Sequence, residues 1–111
     1  MTRLVVIESP FAGDVERNLR YLRACMRDCL DQSEVPYASH GLYTQFGVFD
    51  DDSPAERAFG IVVGFVWACK ADAVAFYVDL GYSRGMTSAL AFHREAGHVI
   101  EERRLGGEWA R

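Results

Sequence analysis

The stretch Ala73–Met86, with the sequence AVAFYVDLGYSRGM, decides the fold that this chain is predicted to adopt. Residues 73–78 are nearly all apolar, which is typical of a central parallel strand that is covered on both faces. The chain then turns at Gly81. A helix begins near Ser83 and ends at Gly97, since glycine is favoured just after a helix. A buried strand followed by a helix is the repeating unit of α/β proteins.

Two earlier helices have recognisable start signals. Asp14 is suited to cap the first helix, because its carboxylate can accept hydrogen bonds from the free amides of the first turn. The second helix begins with the capping box SPAE at 53–56, which has proline at the first helical position, and it ends near Lys70. Its predicted buried face consists of Phe59, Val62, Val63, Val66 and Trp67. The apolar residues of the first helix recur every three or four positions, and they are Val15, Leu19, Leu22, Met26 and Leu30.

Three further strands are predicted at residues 3–7, 35–38 and 98–101. The order β-α-β-α-β-α-β predicts an α/β fold of the Rossmann or flavodoxin-like type. In this three-layer fold, a four-stranded parallel sheet lies between layers that contain three helices in all. The expected strand order is 2-1-3-4. We expect one domain over residues 1–105, followed by a C-terminal tail at 106–111.

The expected strand order also places a ligand site. In an open parallel sheet, ligands bind outside the carboxyl ends of the strands where the strand order reverses, which here is between the first and third strands. Three loops meet at that edge, at residues 8–14, 39–52 and 79–84. The second loop has no predicted secondary structure, and a loop of this length in a compact domain is typically functional or mobile.

Composition limits the classes of function. The chain has 111 residues, of which 50% are hydrophobic and 25% are charged, as in an ordinary globular domain. The net charge of −4 argues against a protein that binds the nucleic-acid backbone. No apolar run is long enough to span a membrane, and the first residues lack the shape of a signal peptide. We therefore expect a cytosolic (cytoplasmic) protein with no nucleic-acid and no membrane partner.

The sequence predicts no metal site and no cofactor. Cys25 and Cys29 are one helical turn apart, but no local histidine completes a set of four ligands, so these thiols and Cys69 are expected to be free and buried. Three consecutive carboxylates at 50–52 lack the spaced partners of a Ca²⁺ cage. We expect them to solvate the loop and to favour the N-terminus of the following helix.

The first loop brings a helix N-terminus to the predicted site, where free amides suit a phosphate or a ribose hydroxyl. An ordinary tight turn capped by Asp14 is the competing interpretation. Glu8 is expected either to line the pocket or to pair with a nearby arginine. The candidate ligand contacts of this region are Ser9, Pro10, Phe11, Gly13 and Arg17.

In the second loop, Tyr43 and Phe46 are suited to stack on a base and Gln45 to read the edge of that base. His40 has two interpretations, as a general acid or base and as a structural hydrogen-bonding residue.

In the third loop, Asp79 is placed to bind a sugar hydroxyl, and the backbone amides of Ser83 and Gly85 are placed to approach it. Met86 follows at the start of the helix and completes the set of candidate ligand contacts.

Four segments in this order resemble the nucleoside 2-deoxyribosyltransferase-like superfamily: SPFAGDVERN (9–18), SHGLYTQ (39–45), DDDSPAERAFGI (50–61) and DLGYSRGM (79–86). The resemblance extends over most of the chain and is closest to the small members that are common in actinobacteria and their phages. It implies the same fold, a nucleoside or nucleotide as the small-molecule partner, and a homodimer or larger homo-oligomer.

Enzymes of that superfamily cleave or transfer the N-glycosidic bond of a deoxynucleoside or its monophosphate. They use a glutamate nucleophile, which lies one helical turn after the glycine that corresponds here to Gly85. The matching residue in this chain is Ala89, and alanine cannot form the covalent intermediate. The resemblance therefore favours a protein that binds a nucleoside or nucleotide without this chemistry.

Two other functions remain open. One is an N-glycosidase or deoxyribosyltransferase in which a carboxylate from another position, Glu8, Asp79 or one of residues 50–52, activates water. The other is a structural or protein-interaction module that uses residues 39–52 as a partner surface.

The predicted second helix bears on the assembly, because it is apolar on more than one face. Its Gly60 and Gly64 would permit close approach of another helix, within the chain or across a dimer. In the tail, Leu105 and Trp109 are the residues able to dock on a neighbour.

Overall fold

The strands and helices alternate along the chain as the sequence predicts. The structure is a computed structural model that describes residues 2–110, apart from the side chains of Glu108 and Ala110. Its elements are β1 (Arg3–Glu8), α1 (Val15–Asp31), β2 (Glu34–Tyr37), α2 (Ser39–Leu42), α3 (Pro54–Ala68), β3 (Ala73–Tyr77), α4 (Arg84–Ala96), β4 (Ile100–Arg103) and a 3₁₀-helix at Gly107–Ala110. The outermost residues of the predicted domain and tail, Met1 and Arg111, lie outside the described residues. Within the described range, no helix has the length and apolarity needed to cross a membrane.

The four strands form one parallel sheet in the order β2-β1-β3-β4, which confirms the predicted α/β fold and strand order. Val5 of β1 lies opposite Pro36 in β2 and Ala73 in β3, and Val74 lies opposite Ile100 in β4. All of β3 is buried, because it lies inside the sheet with helices on both sides. The apolar run at 73–78 is therefore central, as predicted.

The two faces of the sheet pack against different helices. Successive residues of a strand point to opposite faces. Val5 and Ile7 join a core cluster with Tyr21 of α1, whereas Val6 joins a second cluster with Met86 of α4 and with residues of α3. We refer to these two sides as the α1 face and the α3/α4 face.

The predicted buried face of α3 is wrong for most of its members. Phe59, Val62, Val66 and Trp67 are 46–60% exposed, and Val63 is half-buried. The residues that α3 buries are Gly64 and Ala68, because the helix packs on the rest of the chain through its small residues.

The predicted helix caps are present. Asp14 accepts a hydrogen bond from the backbone amide of Arg17 at 3.1 Å, and Ser53 accepts one from the amide of Glu56 at 3.4 Å. Gly97 ends α4 with φ of 77°, in the left-handed region that favours glycine. These caps determine where the connecting loops leave the helices.

The predicted strand bounds are one or two residues away from the observed ones, and one short helix was missed. The last strand begins at Ile100 rather than at residue 98, because the amide of His98 donates to the carbonyl of His93 and still closes helix α4. The segment 39–52 is not wholly irregular, because its first residues form the short helix α2.

The prediction of three buried thiols is wrong for one of them. Cys25 and Cys29 are buried in the core of the α1 face, but Cys69 is exposed. Cys69 lies at the C-terminal cap of α3, where the helix leaves the sheet, so its side chain is outside the core.

An ion-pair network crosses the α1 face. Arg103 donates to Glu34 at 2.7 Å and to Glu101 at 2.7 Å, and Arg3 donates to the second oxygen of Glu101 at 2.7 Å. The hydrogen bond from Arg103 holds the pKa of Glu34 below its usual value, although burial acts in the opposite direction. This network ties the starts of β1 and β2 to β4.

Asp79 attaches the C-terminal segment to the α1 face. Its carboxylate accepts hydrogen bonds from the hydroxyl of Tyr21 at 2.5 Å and from the amides of Leu105 and Gly106 at 2.9 Å each. Burial raises the pKa of Asp79, but these hydrogen bonds outweigh it and hold the pKa below its usual value. The ring of Trp109 packs edge-on against Tyr21, with centroids 4.8 Å apart. The predicted tail is therefore docked on α1.

Candidate functional site

A cavity of about 470 Å³ opens at the carboxyl edge of the sheet, on the α3/α4 face. Its wall is formed by the end of β1, the segment that contains α2, one side of α3 and the first turns of α4. This is the edge at which the strand order reverses between β1 and β3. The cavity therefore lies where ligands bind in open parallel sheets.

Eight of the candidate site residues come together in the wall of this cavity. They are Glu8, Ser9, Phe11, His40, Tyr43, Ser83, Gly85 and Met86. All three loops that the sequence placed at this edge contribute to the wall.

Five candidates do not line the cavity. The carboxylate of Asp79 is engaged on the α1 face, as described above, so a sugar hydroxyl would have to displace those hydrogen bonds. The guanidinium of Arg17 donates to Asn18 at 3.1 Å and does not pair with Glu8. Gly13 has φ of 98° and makes the turn before α1. Pro10 is buried outside the wall and Gln45 is exposed to solvent.

His40 is hydrogen-bonded to Ser9 inside the site. The Oγ atom of Ser9 lies 2.8 Å from Nε2 of His40, and the ring of Phe11 meets the imidazole edge-on with centroids 6.5 Å apart. Burial lowers the pKa of His40, although the carboxylate of Glu8 acts in the opposite direction. Near neutral pH the imidazole is therefore uncharged, and it exchanges one hydrogen bond with the Ser9 hydroxyl.

Ala89 forms part of the cavity wall and is 5% exposed. It lies one helical turn after Gly85 on α4. Ser83 caps this helix, since its hydroxyl accepts a hydrogen bond from the amide of Met86 at 3.1 Å. The N-terminus of α4 is consequently held at the cavity, where its partial positive charge favours anions.

Residues 39–52, which contain α2, can pack closely on α3 because α3 has a glycine, Gly64, at the contact. A Cβ atom at Gly64 would lie 2.7 Å from the hydroxyl oxygen of Ser39, closer than real Cβ contacts. A Cβ atom at Gly60 would meet the ring of Phe49 at 3.5 Å, which is ordinary contact. Both glycines therefore face residues 39–52 of the same chain, which is the intrachain option of the sequence analysis.

Several wall residues were not anticipated from the sequence. Arg57 and Arg84 bring positive charge, and Phe49 adds an aromatic ring. Arg57 follows a capping box and Arg84 follows an N-cap residue, and no local pattern distinguishes them from solvated helix residues. Among the side chains that the structure describes, no three of His, Cys, Asp or Glu are grouped so that they could hold a metal ion.

The fold and the position of the cavity define a three-layer α/β protein of the flavodoxin-like type with a ligand-sized site at its switch point. The chain belongs to the family described as "Domain of unknown function (DUF7768)", whose profile matches residues 3–103. A search of curated proteins gives no match.

Among solved structures, the chain is similar to a 2-deoxyribosyltransferase from the psychrotolerant bacterium Bacillus psychrosaccharolyticus, characterised as a biocatalyst for the synthesis of nucleosides. The TM-score is 0.70 at 16% sequence identity, and the match covers 95% of this chain and 74% of that chain. At this identity the likeness shows the fold, which agrees with the fold that the resemblance implied. Ligand and activity do not follow from it.

Proposed function

We propose that the protein binds a nucleoside or nucleotide in this cavity and does not carry out the glutamate-dependent transfer of the superfamily that it resembles. The observation that carries the proposal is Ala89 in the cavity wall, at the position that the resemblance assigns to the catalytic glutamate. A methyl group cannot attack an anomeric carbon, so the covalent route lacks its nucleophile. The cavity around it is nevertheless large enough for a ligand.

The wall supplies the two kinds of contact that a nucleotide needs. Phe11, Tyr43 and Phe49 bring aromatic rings on which a base can stack. Arg57, Arg84 and the N-terminus of α4 favour an anion such as a phosphate. The volume of about 470 Å³ falls within the usual range for small-molecule sites, roughly 300–1,000 Å³.

The proposal is tested by calorimetric titration with deoxynucleosides and their 5′-monophosphates, and by chromatography of the same samples for free base. We expect saturable binding without base release. Phe49→Ala should weaken binding about tenfold, because stacking contributes about 1–3 kcal/mol per base. Phe46→Ala is the matched control, since Phe46 is fully exposed outside the cavity wall. If no nucleoside or nucleotide binds, the proposal fails.

A pair of substitutions at Ala89 tests whether the missing nucleophile is correctly located. Ala89→Glu would place a carboxylate in the cavity wall, whereas Ala89→Gln has nearly the same size but cannot act as the nucleophile. Base release that appears with the glutamate and not with the glutamine would support the proposal. Base release by the unsubstituted protein would contradict the absence of turnover.

A second candidate function is hydrolysis of the N-glycosidic bond with Glu8 activating water. The favouring observation is that Glu8 lines the cavity with its side chain 20% exposed and forms no ion pair with an arginine or lysine among the described residues. Asp79 is a weaker source of the acid, because its carboxylate is engaged on the α1 face. Base release that disappears in Glu8→Gln but persists in Asp79→Asn would establish this function in place of binding alone.

We further propose that the protein forms a homodimer through the outer side of α3. Phe59, Val62 and Val66 recur at helical spacing and are 57–60% exposed, which leaves an apolar stripe facing solvent. Covering such a stripe with a second copy removes apolar area from water. Sedimentation should give a dimer for the natural chain and a monomer for Val62→Arg. A monomer at high concentration in both would refute the assembly.

The third candidate, a structural or interaction module, predicts that no nucleotide raises the melting temperature, and the titration above decides it. A cytosolic location stays a prediction that rests on the hydropathy of the sequence. An origin in an actinobacterium or its phage stays a prediction that rests on the sequence resemblance.

A further inference from the structure

The imidazole of His93 is completely buried behind the cavity. The residue is 0% exposed on α4, and its ring meets Phe65 of α3 and Phe76 of β3 edge-on, with centroids 5.5 and 6.1 Å apart. Phe92 packs beside it at 5.3 Å. A polar ring inside an aromatic box is costly unless both nitrogens find partners.

One nitrogen of His93 has a partner, and that partner is another histidine. Nδ1 of His93 lies 2.9 Å from Nδ1 of His98, which precedes β4 and is partly exposed. Such a contact needs one protonated and one unprotonated nitrogen. The two rings together can therefore carry one positive charge, but not two, while the hydrogen bond persists.

The other nitrogen of His93 lies near Glu8, a residue of the cavity wall. Nε2 of His93 is buried without a hydrogen-bond partner among the described residues, and Oε1 of Glu8 lies 3.8 Å away. This separation is longer than a hydrogen bond, so Glu8 and His93 are not hydrogen-bonded in this position of the Glu8 side chain. A small rotation of the partly exposed Glu8 side chain would close it.

The titratable neighbours of the two histidines are few. Glu8 at the end of β1 and His98 are the titratable groups that contact His93, while α3 and β3 present the aromatic rings already named. Burial and the neighbouring ring lower the pKa of His98. Glu8 also acts on the charge of His40 across the cavity, so any test must distinguish His40 from the pair.

We propose that the carboxylate of Glu8 alternates between Nε2 of His93 and the cavity, and that a ligand which draws it into the cavity releases a proton from the His93–His98 pair. A carboxylate beside Nε2 favours the positively charged pair. A ligand with a hydroxyl or N–H group donates to Glu8 and removes that support. The inference rests on the proposed function, because its ligand is the proposed nucleoside or nucleotide. In the complex, a hydroxyl or N–H group of that ligand donates a hydrogen bond to the carboxylate of Glu8.

The coupling between Glu8 and the histidines is measurable in the ligand-free protein. In ¹⁵N NMR of the imidazole rings, we expect Glu8→Gln to move the titration midpoint of the His93–His98 pair to lower pH, because the carboxylate beside Nε2 is lost. Glu56→Gln, which changes another cavity-lining carboxylate, should leave that midpoint in place. A pair that titrates identically in the natural protein and in Glu8→Gln overturns the inference, whatever binds in the cavity.

The ligand step is measured by calorimetry with a deoxynucleoside 5′-monophosphate in two buffers of different ionisation heat. Proton release on binding is expected near the titration midpoint of the pair, and its loss is expected in both Glu8→Gln and His98→Asn. Binding without proton release overturns the ligand step. Release that persists in His98→Asn but disappears in His40→Gln also overturns it, by assigning the proton to His40. If no nucleotide binds, the proposed function fails and the ligand step fails with it, whereas the ligand-free titration still decides the coupling.

Discussion

The α1 face and the α3/α4 face lie on opposite sides of the same sheet, yet they differ in how far their polar groups are hydrogen-bonded and their apolar groups covered. On the α1 face, Glu34 and Asp79 each accept several hydrogen bonds, and the apolar residues are covered by α1 and the docked C-terminal segment. On the α3/α4 face, Nε2 of His93 lacks a hydrogen-bond partner among the described side chains and α3 exposes an apolar stripe. A cavity lies there between the end of β1 and the helices α3 and α4.

This difference indicates that the α1 face contributes mainly to stability and the α3/α4 face mainly to binding. Satisfied networks hold one conformation, because breaking any member leaves a desolvated group without a partner. Groups left open are the ones that a ligand or a second copy can satisfy. We therefore expect substitutions on the α1 face to change the free energy of unfolding, and substitutions on the α3/α4 face to change binding and assembly.

The largest effect is expected from breaking the ion-pair network. Glu34→Ala leaves Arg103 with Glu101 as its remaining carboxylate, and removing one partner of a buried pair costs about 3 kcal/mol of unfolding free energy. Chemical denaturation measures the change. Glu102→Ala is the control, since Glu102 meets Arg104 at the surface, and it should cause little loss. Equal losses in the two variants would contradict the comparison between buried and exposed pairs.

Asp79→Asn should lower the free energy of unfolding by about 2 kcal/mol, because an amide cannot accept all the hydrogen bonds of the carboxylate. Faster amide exchange in the C-terminal segment should accompany this loss. Nucleotide affinity should stay unchanged, since Asp79 lies outside the cavity wall. A loss of nucleotide affinity with unchanged stability would contradict this placement and would show that Asp79 contacts the ligand.

Stability should also fall modestly as the pH falls below about 6.5, because of His40. Burial lowers the pKa of His40 in the folded protein below the usual 6.5, so the unfolded chain binds a proton first as the pH falls. Its contribution is complete above about pH 6.5 and is lost as the pH falls toward the folded-state pKa. Thermal denaturation across this range should be flatter in His40→Gln than in the natural chain. The pKa of His98 is also lowered by burial, so His98 should account for the pH dependence of stability that remains in His40→Gln.

The smallest effect on monomer stability is expected on the outer side of α3. Val62→Arg changes a side chain that is 57% exposed. At protein concentrations too low for the dimer to form, the free energy of unfolding should therefore change by less than about 0.5 kcal/mol. The same substitution should abolish the proposed dimer. A large loss of monomer stability would mean that the stripe packs within the chain.

Most of the fold could be predicted from local patterns. The apolar run at 73–78 and the caps at Asp14 and Ser53 each follow from periodicity or from the chemistry of a helix end. The stripe of α1 was predicted only in part, because Leu22 is buried but Val15 and Leu30 are exposed. The boundary of β4 could not, because the bond between His98 and the carbonyl of His93 depends on how α4 ends. A short helix such as α2 has too few residues to show a period.

The site could be predicted in part. Strand order located the edge at which Ser9, His40 and Ser83 meet, since the carboxyl ends of parallel strands lie together. The sequence could not show that Asp79 points to the other face of the sheet. Nor could it place Arg57 in the wall, because its position depends on how α3 packs over the loop.

The sequence by itself determined the α/β class, the strand order and the alanine at position 89, because these depend on residue type and spacing along the chain. The tertiary structure alone decided which polar side chains are engaged and which are open. Asp79 and Leu105, which are hydrogen-bonded, and Glu8 and His93, whose side chains lie 3.8 Å apart, are pairs of residues far apart in sequence. Only the packing of helices on the sheet brings such groups within a few ångströms and gives each its chemistry.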